Sequence, residues 1–213
     1  MTFYRKYKWL MPILLFTTVL IACRCVYSWS LAFIFLPWNL LLAAMPLYFS
    51  FRLTRAANRK TGLLYLLAWL LFFPNAMYIV TDLFHLKDHP GIPKWYDLLI
   101  LISAAITGVI MGFISLLHVE GYLCRLVGNR YMKLIIFTCF MLCGYGVYLG
   151  RYLRWNSWDV IIKPFSLFAD IAQDIIHPFR NIQCWSLTML FGVWLFILYS
   201  YFKKFRTDRL NVE

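Results

Sequence analysis

A set of polar and titratable side chains closes a long apolar stretch in the segment FFPNAMYIVTDLFHL, residues 72–86. From Asn75 onward they recur at alternating steps of three and four, so that on a helix they would share one face: Asn75, Tyr78, Asp82, His85 and His89. Asp82 and His85 are three residues apart, a spacing at which a carboxylate can hold an imidazole in one tautomer. That pair suits a general acid/base, a proton relay, or a metal ligand with its orienting partner.

Two other interpretations of this face stay open. His85 and His89 have the spacing of metal ligands on a helix, but a catalytic zinc site needs at least three protein ligands, and the chain has no HExxH motif. Asp82 could instead cap a helix or pair with an arginine at the membrane interface. We predict no metal and no cofactor, and we assign Asp82 and His85 as the candidate catalytic pair.

A second polar cluster occurs in YLGRYLRWNSWDV, residues 148–160. Arg151 and Arg154 are one helical turn apart, and a guanidinium can bind a carboxylate or a phosphate through two hydrogen bonds. We predict that their partner is either Asp82, in a structural ion pair, or an anionic ligand such as a lipid headgroup phosphate.

The residues around these arginines are predicted to be mainly structural. Asn156 followed three residues later by Asp159 is an Asp variant of the capping box, and it predicts the start of a helix beside Trp158. Gly146 and Gly150 have the GxxxG spacing that lets another helix approach closely. Asp159 is also a candidate ligand-binding residue.

The composition indicates a membrane protein. Hydrophobic residues make up 62% of the 213 and charged residues 14%, whereas soluble domains are near half apolar and a quarter charged. We predict an all-α fold: a polytopic transmembrane helical bundle of about six spans, forming a single integral membrane domain over residues 1–213. A net charge of +12 would suggest nucleic acid in a soluble protein, but here membrane orientation explains it, and no nucleic-acid partner is predicted.

The distribution of charge predicts the topology. With the N-terminus inside, 14 of the 21 lysines and arginines lie in inner segments, which favours an N-in, C-in orientation. The predicted spans are residues 9–27, 30–51, a third from Gly62 through Pro74, then 95–117, 134–153 and 185–202. The first is predicted to be an uncleaved span rather than a signal peptide. Cys23, Cys25 and Cys184 would lie near the outer face, where a disulfide is one option.

Pro74 is predicted to lie about 18 Å into the third span, deep in a core of about 30 Å. A proline there leaves the carbonyl of Leu70 without its helical donor, and lipid cannot supply one. Asn75 could mend a kinked helix, or the segment could be a broken helix that lines a water-filled outer vestibule. The ionisable residues that follow favour the vestibule.

The longest predicted outer connection, residues 154–184, contains an amphipathic helix. Its polar face comprises Lys163, Ser166, Asp170, Gln173, Asp174 and His177. Its apolar face comprises Phe165, Phe168, Ile171, Ala172, Ile175 and Phe179. We predict either that this helix rests on the outer membrane surface with its phenylalanines in the bilayer, or that it only covers the bundle.

The two quoted segments resemble the signature stretches of the DUF1361 family, small bacterial integral membrane proteins of unknown function. The resemblance implies a multi-pass protein of the bacterial cytoplasmic membrane. It singles out Pro74, Asn75, Tyr78, Asp82, His85, Arg151, Arg154, Asn156, Trp158 and Asp159. Many relatives have proline where this chain has Met77, so the helix after Asn75 is expected to be less broken here. The family has no established activity to transfer.

Three hypotheses remain, and the lipid bilayer is the predicted partner in all of them. In the first, a polar pocket at the outer face binds or processes an anionic lipid or lipid-linked headgroup, with Asp82 and His85 as acid/base. Its ligand-binding residues are Asn75, Tyr78, Arg151, Arg154 and Asp159. In the second, the chain is a transporter or channel component with a proton-sensitive broken helix. In the third, it is a non-catalytic assembly protein in which Asp82 and an arginine form a structural ion pair.

Overall fold

The described residues of the computed structural model are 3–31, 33–87 and 91–210, without the side chains of 209 and 210, and they contain helices and short connections but no strand. The helices are α1 (Phe3–Tyr7), α2 (Met11–Ser28), α3 (Phe35–Leu53), α4 (Arg59–Tyr78), α5 (Lys94–Val127), α6 (Met132–Arg151), α7 (Asp159–Ile162), α8 (Pro164–Ile176) and α9 (Ile182–Leu210). Short 3-10 helices occupy Lys8–Leu10 and Ile79–His85. The predicted all-helical class is confirmed.

Long apolar helices dominate the described chain. Five helical stretches are long and apolar enough to cross a membrane: Phe3–Ser28, Arg59–His85, Lys94–Val127, Met132–Arg151 and Ile182–Asp208. The 19-residue α3 is a sixth long helix, and it carries Pro46 in its interior. These helices correspond to the six predicted spans, so the protein is a multi-pass integral membrane protein.

The chain divides into two compact units, Met1–Val119 and Glu120–Glu213, with the boundary inside α5. The single integral membrane domain over residues 1–213 stays a prediction. All six cysteines are free thiols, so the disulfide that the sequence permitted is not formed.

In the first unit, α3 packs against α4, and two glycines of α5 allow close contact with the end of α4. A Cβ atom at Gly108 would lie 2.8 Å from the carbonyl oxygen of Ala76, and one at Gly112 would lie 3.1 Å from the Ala76 Cβ. Both distances leave no room for a larger residue without a shift of the neighbours. The glycines therefore hold α5 directly against the turn that leads into Ile79–His85.

In the second unit, α6 packs against α9 through small residues. A Cβ atom at Gly144 would lie 2.7 Å from the backbone oxygen of Thr188, so this position admits only glycine without movement of α9. The predicted GxxxG pair, Gly146 and Gly150, is half-buried on the same helix. Its role in helix packing stays a prediction.

Of the two alternatives predicted for Pro74, a helix broken at the proline is wrong. Helix α4 continues through Pro74 to Tyr78, and the helical geometry changes only at Ile79, where it tightens to 3-10. The side-chain amide of Asn75 donates to the carbonyl oxygen of Phe72 at 3.2 Å. The local geometry is that of a proline tolerated within a helix.

The predicted capping box at Asn156 is formed only in its reciprocal half, and it does not start the amphipathic helix. The N-cap residue is Trp158, which makes no side-chain capping hydrogen bond. The carboxylate Oδ2 of Asp159 accepts from the backbone N–H of Asn156 at 2.7 Å, as in the reciprocal half of a capping box. The helix that follows, α7, lasts only four residues. The amphipathic helix α8 starts afresh at Pro164, because a proline has no N–H to continue α7 and is well suited to a first turn.

Helix α8 exposes its apolar face and turns acidic side chains inward. Phe165 and Phe179, just beyond its end, are 88% and 92% exposed, whereas Asp174 is 4% exposed. Asp170 accepts from the indole Nε1–H of Trp155 at 2.9 Å. A helix that merely covered a bundle would bury its phenylalanines, so this arrangement favours a position on the membrane surface.

Candidate functional site

Asp82 lies in the 3-10 helix Ile79–His85 and is 1% exposed. Its Oδ2 atom accepts a hydrogen bond from the side-chain amide of Asn39 on α3, with a separation of 2.7 Å. Burial of a carboxylate is costly unless donors satisfy it, so this contact helps to hold the charge in place. The α3 helix therefore contributes directly to the predicted site.

His85 lies one 3-10 turn beyond Asp82, and its side chain is 45% exposed. Its Nδ1 atom is 3.9 Å from Asp82 Oδ1, the carboxylate oxygen opposite the one that Asn39 contacts. The aromatic ring of Phe35 is 4.9 Å from the imidazole, centroid to centroid. A buried carboxylate thus faces an imidazole that is packed on a ring and reachable from outside.

This arrangement can support proton transfer. A carboxylate beside an imidazole orients the ring and stabilises its protonated form. A small closure of the 3.9 Å gap would give a hydrogen bond, and catalytic hydrogen bonds are often long before a ligand binds. Asp82 and His85 therefore lie close together, as predicted, but at a distance longer than a hydrogen bond.

Asn75 and Tyr78, the other described residues of the predicted face, do not share one face with Asp82 and His85 as they would on a regular α-helix. Asn75 and Tyr78 are half-buried on α4, and the hydroxyl of Thr81 donates to the carbonyl oxygen of Tyr78 at 2.6 Å. The change from 3.6 to 3.0 residues per turn after Tyr78 rotates Asp82 and His85 relative to them. His89 lies outside the described residues.

The predicted anion-binding residues belong to the second unit. Arg151 ends α6, and the exposed Arg154 has a left-handed backbone conformation with φ of 60°. Asp159 is buried and its Oδ2 is engaged by Asn156. The pairing of Asp82 with Arg151 or Arg154 stays a prediction, as do the ligand-binding roles of all three residues.

A family model, described as a protein of unknown function and designated DUF1361, matches residues 38–198. The chain belongs to the DUF1361 family. The matched range contains Asn39, Asp82 and His85, together with Arg151 and Arg154. No curated protein and no solved structure matches the chain. The identification confirms the resemblance and brings no activity with it.

The sequence did not predict a buried ion pair in the first unit of this DUF1361 protein. Arg24 on α2 donates from Nε to Asp97 Oδ1 at 2.7 Å and from Nη2 to Oδ2 at 3.3 Å. The two side chains are 3% and 1% exposed, and Arg24 also donates to Ser28. The two residues are 73 positions apart and lie near the ends of two different predicted spans. Sequence spacing therefore could not predict the pair.

A second network that the sequence did not predict surrounds His118. Its Nδ1 is 3.1 Å from the hydroxyl of Ser50, which itself donates to the carbonyl oxygen of Leu47. Its Nε2 is 3.2 Å from both the Lys6 ammonium and the Tyr7 hydroxyl. The network joins α1, α3 and α5 through one imidazole.

Asp174 forms a third network in the second unit. Its carboxylate accepts from the hydroxyl of Tyr145 at 3.0 Å and from the amide of Asn181 at 2.8 Å, and its backbone oxygen accepts from the indole of Trp185. All of these donors are neutral. The contacts tie the end of α8 to α6 and α9, and they assign Asp174 a structural role.

Proposed function

We propose that this DUF1361 protein acts on the headgroup of an anionic amphiphile, a lipid or a lipid-linked molecule, at the outer boundary of a bacterial cytoplasmic membrane. His85 is the group that transfers the proton, and Asp82 is the residue that positions it. The observation that carries the proposal is the contrast in exposure between the two side chains, 1% for Asp82 and 45% for His85, at a separation of 3.9 Å.

The burial of Asp82 supports a positioning role rather than direct contact with a ligand. Asn39 fixes one carboxylate oxygen, which leaves the other oriented toward the imidazole. A fixed carboxylate orients the imidazole of His85 for proton transfer. His85 itself is accessible, as a group in contact with substrate must be.

The location supports a lipid-like substrate. The 3-10 helix Ile79–His85 ends a stretch that is long and apolar enough to cross a membrane, so its last residues are at a membrane boundary. Headgroups of amphiphiles occupy the same depth. Arg151 and Arg154 are proposed from the sequence alone as the groups that hold the anion, and they are tested separately.

The experiment compares lipid conversion by matched variants. Full-length protein is reconstituted with a bacterial lipid extract, and the extract is followed over time by mass spectrometry. Wild type is expected to deplete at least one anionic species, whereas Asp82→Asn and His85→Gln leave it unchanged and Arg154→Gln requires more substrate for the same rate. His177→Gln is the control, because this exposed histidine lies outside the site.

The proposal fails if wild type and His85→Gln give the same lipid profile while both remain folded. A further variant, Asp82→Glu, keeps the charge at this position. Lipid conversion by Asp82→Glu but not by Asp82→Asn would show that a carboxylate is needed to position the imidazole, rather than any polar residue. If flux of protons across proteoliposomes depends on Asp82 while lipids stay unconverted, the transporter hypothesis replaces this one.

A further inference from the structure

The second unit contains a cavity of about 910 Å³ beside the end of α5, the start of α6 and the second half of α9. Four basic residues line it: Arg130, Lys133, Lys203 and Lys204. Its acidic lining residues are Glu120 and Asp208. The lining therefore carries a surplus of positive charge.

Glu120 forms an ion pair with one of these basic residues, Lys203. It is 9% exposed and accepts from the hydroxyl of Tyr199 at 2.6 Å. The pair places the Lys203 ammonium at the wall of the cavity. By contrast, Lys133 and Lys204 are exposed and form no ion pair with any residue that the structure describes.

The cavity also has an apolar wall. Met132 and Ile136 on α6 are buried, and Phe196 on α9 belongs to the same lining. The tendency of inner loops to carry lysine and arginine explains basic residues at a membrane face, but it does not require a cavity or an apolar wall beside them. Basic pockets between transmembrane helices on the cytoplasmic side are typical binding sites for anionic headgroups.

We propose that this cavity binds an anionic phospholipid. Lys133 and Lys204 contact the headgroup phosphate, Glu120 positions Lys203 beside them, and an acyl chain lies along Ile136 and Phe196. Free phosphate would satisfy the lysines and leave the apolar wall uncovered. By the predicted topology this site is on the inner side of the membrane, so it is independent of the proposed function of His85.

The test is a titration of the full chain in neutral detergent, read by native mass spectrometry. The three probes are phosphatidylglycerol, phosphatidylcholine with the same acyl chains, and inorganic phosphate. The cavity variant is Lys133→Gln/Lys204→Gln. The control is Arg59→Gln/Lys60→Gln, which removes the same charge from the same predicted side at exposed positions of the first unit.

Wild type is expected to bind phosphatidylglycerol at least tenfold more tightly than phosphatidylcholine. The cavity variant should bind it about 30-fold more weakly, since each basic residue near an anionic lipid contributes a factor of about five. The control should keep the affinity of wild type, and Phe196→Ala should weaken binding of the lipid without changing that of phosphate. Circular dichroism verifies that each variant is folded.

Equal affinities in the cavity variant and the control would overturn the proposal, as would equal binding of the two lipids. Saturation of the site by inorganic phosphate at the concentration that suffices for the lipid would also overturn it. Lipid conversion by His85→Gln is measured separately, so either proposal can fail without the other.

Discussion

Asp82 and Asp97 are two carboxylates of the first unit with the same exposure, 1%, and different surroundings. Both oxygens of Asp97 face the guanidinium of Arg24, whose side chain is itself 3% exposed. Asp82 has the amide of Asn39 on one oxygen and a half-exposed imidazole opposite the other. Both side chains of the Arg24–Asp97 pair are buried, whereas the His85 partner of Asp82 is partly exposed.

The comparison teaches that burial of a carboxylate does not by itself distinguish a structural ion pair from a functional site. The chemical type of the partner side chain is what distinguishes the two. A bidentate guanidinium is always charged and fixes the geometry, while an imidazole changes its charge near neutral pH. We therefore interpret Arg24–Asp97 as the structural pair of this unit and Asp82–His85 as its functional pair.

The largest expected effect is at the structural pair. Arg24→Met leaves Asp97 buried beside an apolar side chain, so it should lower the free energy of unfolding by about 3–5 kcal/mol. Chemical denaturation in detergent measures this loss. The double variant Arg24→Met/Asp97→Leu should recover most of it, and a double variant as unstable as the single one would refute the assignment.

The next effect concerns the contact between Asn39 and Asp82. Asn39→Leu removes a donor from a buried carboxylate and should cost about 1.5–3 kcal/mol. A double-mutant cycle with Asp82→Leu isolates the pairwise term, because both partners then become apolar. A coupling energy near zero would mean that α3 does not fix Asp82.

A smaller effect is expected where α5 supports the 3-10 helix. Gly108→Ala brings a Cβ atom to 2.8 Å from the Ala76 oxygen and should cost about 1–2 kcal/mol, with a parallel loss of lipid conversion. Gly121→Ala is the matched control, since a Cβ there meets nothing within 4 Å. It should be neutral or stabilise the helix by up to about 1 kcal/mol. Equal behaviour of the two variants would contradict the role given to Gly108.

A charge exchange tests the remaining structural alternative. If Asp82 and Arg151 form the predicted ion pair, Asp82→Arg should lower the yield of folded protein and Arg151→Asp in the same chain should restore it. The proposed function expects conversion to stay absent in the double variant, because the carboxylate that positions His85 is gone. Restored yield together with restored conversion would favour a purely structural role for Asp82.

The sequence predicted the elements well because periodic patterns are local. Alternating three- and four-residue steps located Asp82 with His85, and an amphipathic helix was predicted where α8 lies. It missed Asn39, a single amide between apolar residues of a helix with no periodic polar partner. It missed Arg24–Asp97 and the His118 network for the same reason, since their partners are brought together only by the packing of distant helices.

The most direct test measures unfolding and lipid conversion on the same preparation of Asp82→Asn. Asparagine keeps an acceptor for Asn39 and removes the charge that acts on His85. We predict a free energy of unfolding within about 1.5 kcal/mol of wild type and no conversion of lipid. Destabilisation as large as that of Arg24→Met, or conversion at the rate of wild type, would contradict the account.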